Sequence, residues 1–264
     1  MNPVFPIPDR IELFAVPGLG EIAPGDALGV ALCNAVTQAG LAFEDGDVLV
    51  IAQKIVSKAE GRLVELASVI PSPFAVSLSE SLDATPAKDP RAIEVVLRES
   101  RRIVRMDAGL IISETHQGYV CANAGVDSSN VPAGFLSLLP VDPDASAARL
   151  REEIRVHSGR DVAVIISDTF GRPWREGLTN VALGVAGLAP LQDYRGQKDE
   201  QGHTLSATVI ATADELAAAA ELLMGKTARR PAVVIRNFPA LPGSGSATGT
   251  GADLVRPREK DLFR

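Results

Sequence analysis

Apolar and polar positions fall in blocks along this chain, and the blocks predict its elements. "IELFAV" (Ile11 to Val16) reads as a strand, and "PGLGEI" turns out of it. "DALGVALCNAVTQAG" reads as a helix, with Asp26 as N-cap and Gly40 as its stop. "DVLVIAQKIV" (Asp47 to Val56) is a largely apolar strand buried on both faces, before the chain turns polar at "SKAEGR". Pro71 to Arg105 reads as helix in two pieces, broken at "TPAKDP". "GLIISET", "HQG" and "YVCA" together predict a β-hairpin. "DASAARLREEIRVH" (Asp144 to His157) is an amphipathic helix with Gly159 behind it, and "DVAVIISD" (Asp161 to Asp168) is a buried strand ending on a carboxylate. "ADELAAAAELLMG" is a helix with Thr212 and Glu215 placed as a capping box and Gly225 as its stop. "PAVVIRNF" is the last core strand. Residues 239–264 then read as a flexible glycine- and serine-rich loop, "PGSGSATGTGA", and a charged, solvated tail. Buried strands alternating with helices predict an α/β fold with a mixed sheet. The polar middle suggests a second subdomain without sharp boundaries, and no internal repeat is visible.

Composition narrows the function. The 264 residues suit one large domain or two small ones. Aromatics make up only 4%, so the core must be aliphatic. A net charge of -7 argues against nucleic-acid binding, which needs a basic stripe. An anionic ligand would have to be met by a few local cations or a metal. Cys33 and Cys121 have no metal-ligand spacing and read as buried free thiols of a reducing compartment. The proline-broken start "MNPVFPIPDR" does not read as a signal peptide, and no apolar run reaches the roughly 20 residues of a membrane span. The expectation is a cytoplasmic protein.

Candidate chemistry lies in polar stretches that follow apolar strands, where rigid elements can set functional loops. "CANAGVDSSN" consists almost wholly of small residues around one carboxylate, Asp127. Small residues bury little apolar area, so the stretch does not read as a packing element. Glycine and serine there would let backbone N–H groups approach an anion. "SDTFGR" puts Asp168 and Thr169 at the predicted exit of a strand. Mg²⁺ and Mn²⁺ take oxygen ligands, typically one or two carboxylates plus substrate phosphates, and Asp127 would be the second carboxylate if the two loops meet. Each Asp alone can equally be a turn or capping residue. The same stretches carry the cations Lys54, Lys58, Arg172, Arg175, Arg195 and Lys198. There is no P-loop, "GLG" alone is a turn, and His116, His157 and His203 are too scattered to be catalytic. Trp174 either packs or stacks on a ring. Residues alone thus predict an α/β enzyme with a carboxylate-bound divalent metal and a phosphate-bearing ligand.

Taken together and in order, "EDGDVLVIAQKIVSKAEGR", "VCANAGVDSSN", "SDTFGRPWREG", "GQKDEQG" and "ADELAAAAELLMG" resemble the coenzyme F420-0:L-glutamate ligase family, from about Leu13 to Arg236. The resemblance implies a GTP-dependent amide ligase that adds L-glutamate to a deazaflavin precursor, either F420-0 or its dehydro form, and then further γ-linked glutamates. It implies Mg²⁺ or Mn²⁺ with K⁺, a fold of the family's own, and an intertwined homodimer of two-domain subunits. Mycobacterial relatives continue into a nitroreductase-like domain, so the expectation here is the ligase unit alone. Metal ligands would be Asp127, Asp168 and Thr169. GTP contacts would be Leu19, Gly20, Glu21 and Ile22, then Gln53, Lys54, Lys58 and Asn130, then Met224, Gly225, Lys226 and Thr227. Asp127, Asp168 and Lys58 would carry the chemistry, and Arg172, Arg175 and Lys198 would receive substrate carboxylates. Archaeal members carry an acidic, metal-binding residue where this chain has Lys226, which points that side chain at phosphate instead. Two other functions are open: a metal-dependent phosphohydrolase using the same acids on water, and a non-catalytic deazaflavin- or nucleotide-binding module.

Overall fold

The computed structural model describes residues 8–82, 88–107, 109–239 and 249–262. In chain order the elements are β1 (Glu12–Val16), α1 (Leu28–Gln38), β2 (Val48–Ala52), α2 (Gln53–Ala59), β3 (Leu63–Glu65), α3 (Pro73–Ser81) and α4 (Pro90–Glu99). There follow β4 (Ser100–Asp107), β5 (Leu110–Thr115), β6 (Val120–Ala122), β7 (Phe135–Ser137), α5 (Pro143–Ser158), β8 (Ala163–Arg172) and β9 (Arg175–Ala186). The last are β10 (Gln192–Asp193), β11 (Val209–Ile210), α6 (Thr212–Met224) and β12 (Ala232–Arg236).

The main sheet has five strands in the order β1-β12-β2-β8-β9. Strands β2 and β8 run parallel, from Val48 opposite Ala163 to Ala52 opposite Ser167. The remaining neighbours are antiparallel, so the sheet is mixed, as the sequence predicts. Its central strands are continuously aliphatic because helices cover both faces. Side chains alternate along each strand. Leu49, Ile51, Val164, Ile166 and Val234 join the cluster that contains Leu32, Val36, Leu150 and Ile154 of α1 and α5. Val48, Val50, Ile165, Val233 and Ile235 join the cluster of Leu216, Ala217 and Ala220 on α6. Each fully buried branched side chain contributes roughly 1.5–3 kcal/mol.

The middle of the chain builds a three-stranded sheet, β4-β5-β6, and the pair β3-β7. Helices α3 and α4 pack here through Ala75, Leu78, Ile93 and Val96 against Ile111 and Ala124. A neighbouring cluster joins Val69 and Val95 to Leu136 and Leu138.

Several expectations need correction. The strand predicted through Val56 ends at Ala52, and "QKIVSKA" is helical. Gln53, Val56 and Ser57 are buried on one side of α2, and the Ser57 hydroxyl donates to Gln53 Oε1 at 2.7 Å and to Leu138 O at 2.6 Å. Ser100 to Arg105, predicted helical, is strand β4, because α4 ends at Glu99 and the chain pairs with β5. Asp26 does not cap α1; its carboxylate accepts from Ala23 N at 2.8 Å, and Ala27 holds the cap position. Thr212 and Glu215 do not form the expected capping box: Thr212 is the first helical residue, and its buried Oγ1 has no hydrogen-bond partner among the described residues. The Gly40 and Gly159 stops hold, both with left-handed backbone. Strand β8 does not end at Asp168 but runs on to Arg172 and folds back as β9. Most of "PGSGSATGTGA" lies outside the described residues, and its end, Gly251–Leu254, is a 3₁₀ turn. Both cysteines are free and buried, and burial pushes the Cys121 thiol up to about 12.

Candidate active site

A cavity of about 900 Å³ opens where the parallel pairing of β2 and β8 ends, at Ala52 opposite Ser167. This is where open α/β sheets receive ligands. Ala52 and Gln53 enter it where β2 passes directly into α2, and Ser167, Asp168 and Thr169 enter it from β8. Because α2 begins without a loop, Lys54 and Lys58 stand four residues apart on one helical face and both line the cavity.

The "CANAGVDSSN" segment supplies a third wall. Asn123, Ala124 and Gly125 take three successive left-handed conformations, with φ of 51°, 53° and 72°. A Cβ at Gly125 would lie 2.6 Å from Leu139 Cγ, so both the conformation and the space demand glycine. Ala124 is buried in the α3–α4 core. The small residues therefore do serve packing, contrary to the reading from area alone; they let the chain turn tightly under Leu139 before it presents Asp127.

Charges in the cavity are interleaved. Lys54 Nζ forms an ion pair with Asp127 and donates to Ser129 O and Oγ, each at 2.7 Å. Burial opposes ionisation of Asp127, but the Lys54 ammonium and the Ser129 hydroxyl and amide outweigh it and hold the carboxyl below its ordinary range. Asp168 is the reverse case: burial pushes its carboxyl up to about 6, despite the Thr169 amide and the nearby Lys54 and Lys226. Lys58 is buried and paired with Glu21. Lys226 donates to Thr169 Oγ1 and pairs with Glu221 Oε1 at 2.8 Å. Asn180 closes this group, accepting from the Thr169 hydroxyl at 2.6 Å and donating to Glu221 Oε2 at 3.1 Å.

Of the residues singled out in the sequence, Leu19 to Ile22, Gln53, Lys54, Lys58, Asp127, Asn130, Asp168, Thr169 and Met224 to Thr227 all line this one cavity. Arg172, Arg175 and Lys198 do not. Arg172 and Arg175 oppose each other at the turn of the β8–β9 hairpin, and Arg172 Nη2 donates to Glu176 O at 2.8 Å. Lys198 bridges to Thr204 in a separate polar loop. Sequence reading missed Asn180, Glu221, Ser129, Arg229 and Arg230. The doublet Arg229–Arg230 just before the last strand was a readable signal, whereas Asn180 lies in β9, a strand the hydrophobic pattern did not reveal.

The donors are all oxygens, which suits a hard divalent cation. Among the described residues no three His, Cys, Asp or Glu side chains converge. An ion held at Asp127, Asp168 and Thr169 would thus complete its shell with ligand or water oxygens, and Lys54 and Lys226 would have to leave the oxygens they now bond.

Fold and cavity define a mixed α/β protein with a pocket beside its parallel strands, lined by interleaved lysines and carboxylates. The chain belongs to the F420-0:Gamma-glutamyl ligase family, whose profile matches residues 18–237. It is 46% identical over 255 residues to the coenzyme F420:L-glutamate ligase of Methanothermobacter thermautotrophicus, covering 96% of this chain and 99% of that one. The Methanopyrus kandleri protein of the same name is 44% identical over 256 residues, covering 97% of each chain. That of Methanocaldococcus jannaschii is 43% identical over 223 residues, covering 84% of this chain and 86% of that one.

Proposed function

We propose that this protein is a GTP-dependent ligase that joins L-glutamate to the terminal carboxylate of coenzyme F420-0 or its dehydro form, and then adds γ-linked glutamates. The observation that carries the reading is charge. In a chain of net charge -7, one cavity gathers five cations, Lys54, Lys58, Lys226, Arg229 and Arg230, against four carboxylates. Such a concentration suits a polyphosphate. The names of the relatives support the acceptor and the amino acid.

In the proposed reaction an acceptor carboxylate oxygen attacks the γ-phosphorus of GTP, and GDP leaves. The glutamate nitrogen then attacks the acyl carbon, loses a proton, and inorganic phosphate departs as the amide forms. Lys54 and Lys58 hold phosphate oxygens, and Lys226, steered by Glu221, adds a third ammonium. Asp127, Asp168 and Thr169 would hold Mg²⁺ or Mn²⁺, which supplies positive charge against the phosphate oxygens. K⁺ as activator, a cytoplasmic location, a homodimer and a single ligase unit of two subdomains belong to the same reading. Among the described residues no helix is long and apolar enough to cross a membrane.

The test is mass spectrometry of products from F420-0, L-glutamate, Mn²⁺ and either GTP or ATP. Expected are glutamylated acceptor and GDP, with ATP a poor substitute. GTP loss that proceeds equally without glutamate would point to a phosphohydrolase. Binding without GDP formation would point to a binding module.

A further inference from the structure

Behind the loop that carries Asp127 lies a second cavity, of about 250 Å³. Asn123, Val126 and Asp127 line both spaces, so the loop is their shared partition. The second cavity has apolar walls from α4 and β5, chiefly Ala92, Ile93, Val96 and Ile111. Three of its lining residues are charged: Lys88, Asp89 and Asp127. Asp89 is engaged by Arg91, with Arg91 Nη2 to Asp89 Oδ2 at 2.6 Å, and Asp127 is engaged by Lys54. Of the three, Lys88 has no carboxylate partner among the described residues. Among the described residues its ammonium donates only to the neutral amide oxygen of Asn123, at 3.1 Å. Asn123 is held for that contact by its left-handed backbone, φ 51°.

We infer that Lys88 and Asn123 form a subsite for the carboxylate of a substrate that carries it on an aliphatic chain. This rests on the proposed ligase reading and adds to it where one reactant is held. A single ammonium with no carboxylate partner among the described residues matches a single negative charge, whereas the five cations next door match a polyphosphate. Aliphatic walls beside that ammonium suit methylene groups, and the hydroxyl of Ser128, also in the lining, offers one further donor. Position agrees: a carboxylate anchored at Lys88 lies across the Asp127 loop from the cavity that holds the lysines, with Asn123, Val126 and Asp127 in the walls of both. Burial pushes the Lys88 ammonium below its ordinary range, as befits a cation that meets no anion among the described residues. Two reactants carry such a carboxylate, the incoming L-glutamate and the tail of the acceptor, and steady-state kinetics separate them.

The experiment measures KM for L-glutamate, F420-0 and GTP in wild type, Lys88→Met and Lys88→Arg. Wild-type turnover tests the ligase reading by itself: without glutamylated product, that reading fails. Given turnover, K88M should raise KM by roughly 10- to 100-fold for one carboxylate substrate, the value of one lost charge-assisted hydrogen bond. The KM for GTP should stay within about 3-fold, since Lys88 does not face the phosphate cations. K88R keeps the charge and should recover most of the loss. A rise for L-glutamate assigns the subsite to the amino acid, and a rise for F420-0 assigns it to the acceptor tail. Unchanged KM for both, or a fall confined to kcat, overturns the subsite. So does a K88M loss that K88R does not relieve, or one accompanied by a lowered melting temperature in both variants.

Discussion

Lys54 grips Asp127, Lys58 grips Glu21, and Lys226 grips Glu221 and the Thr169 hydroxyl, so three of the four carboxylates of the cavity are already committed before any ligand arrives. Asp127→Asn and Asp168→Asn should each lower ligase turnover by about 10²-fold or more, the loss of one strong electrostatic contact, and the double variant should be little worse. Steady-state assays with Mn²⁺ titration check this, with near-normal turnover in either single variant excluding that residue from the chemistry. Lys226→Ala should weaken GTP binding by roughly tenfold yet leave the Mn²⁺ requirement intact, measured by calorimetric titration and by assay with a chelator. Lys54, Lys58, Asp127, Asp168 and Thr169 were legible because they stood in short polar runs directly after apolar strands, and the other cavity residues singled out in the sequence came from the family resemblance alone. What stayed hidden was their pairing. Nothing in the spacing of Lys226 and Thr169 announces that they touch, since 57 residues separate them. Arg172 and Arg175 looked equally suitable by charge, but a hairpin that continues past the sheet carries them away from the cavity.

At the level of elements, the sequence told buried strands well and polar ones poorly. Strands β2, β8 and β12 announce themselves because both faces are buried. The outer parts of β8 and β9 do not, for their hairpin is largely exposed, with Trp174 at 80% and Leu178 at 67%. The switch from β2 to α2 was misread because Ile55 and Val56 resume the apolar run after Gln53 and Lys54, while the burial pattern changes from strand to helix. One junction invites a pH experiment. Glu94 of α4 accepts from Ser72 N at 3.0 Å, at the start of α3, and from Arg98 Nε at 2.9 Å. The Ser72 contacts and Arg98 hold its carboxyl below the ordinary range. A lowered folded-state value means that this stability is present above the unfolded pKa, near 4.3, and is lost as pH falls through the folded one. Glu94→Gln should therefore cost about 1 kcal/mol at pH 7, and the gap to wild type should close between about pH 5 and 3. Urea melts across that range measure it; a gap that stays constant with pH would mean the charge plays no part.

For the whole molecule, one side chain ties the C-terminal segment to the sheet. Asp144 accepts from Val185 N at 2.8 Å and Gly251 N at 2.6 Å through Oδ1, and from Ala252 N at 3.1 Å through Oδ2. Asp144→Ala leaves three amides without that acceptor, and should lower the melting temperature by about 5 °C or more in a chain of this size, read by calorimetry. The gripped carboxylates have their own consequence at this scale. With its three lysines spent on Asp127, Glu21 and Glu221, the resting pocket offers a bare nucleotide no free ammonium, and of the two acids proposed for a divalent ion it holds Asp127 already taken. A nucleotide alone that engages Lys54, or an ion alone that engages Asp127, must break their ion pair and leave one half of it stranded. Arriving together they exchange partners, the ion taking the acids and the phosphates taking the lysines. On the proposed reading the two are thus thermodynamically linked. Mn²⁺ should tighten GDP binding by at least about tenfold, GDP should tighten Mn²⁺ binding by the same factor, and Lys54→Met should shrink that mutual gain.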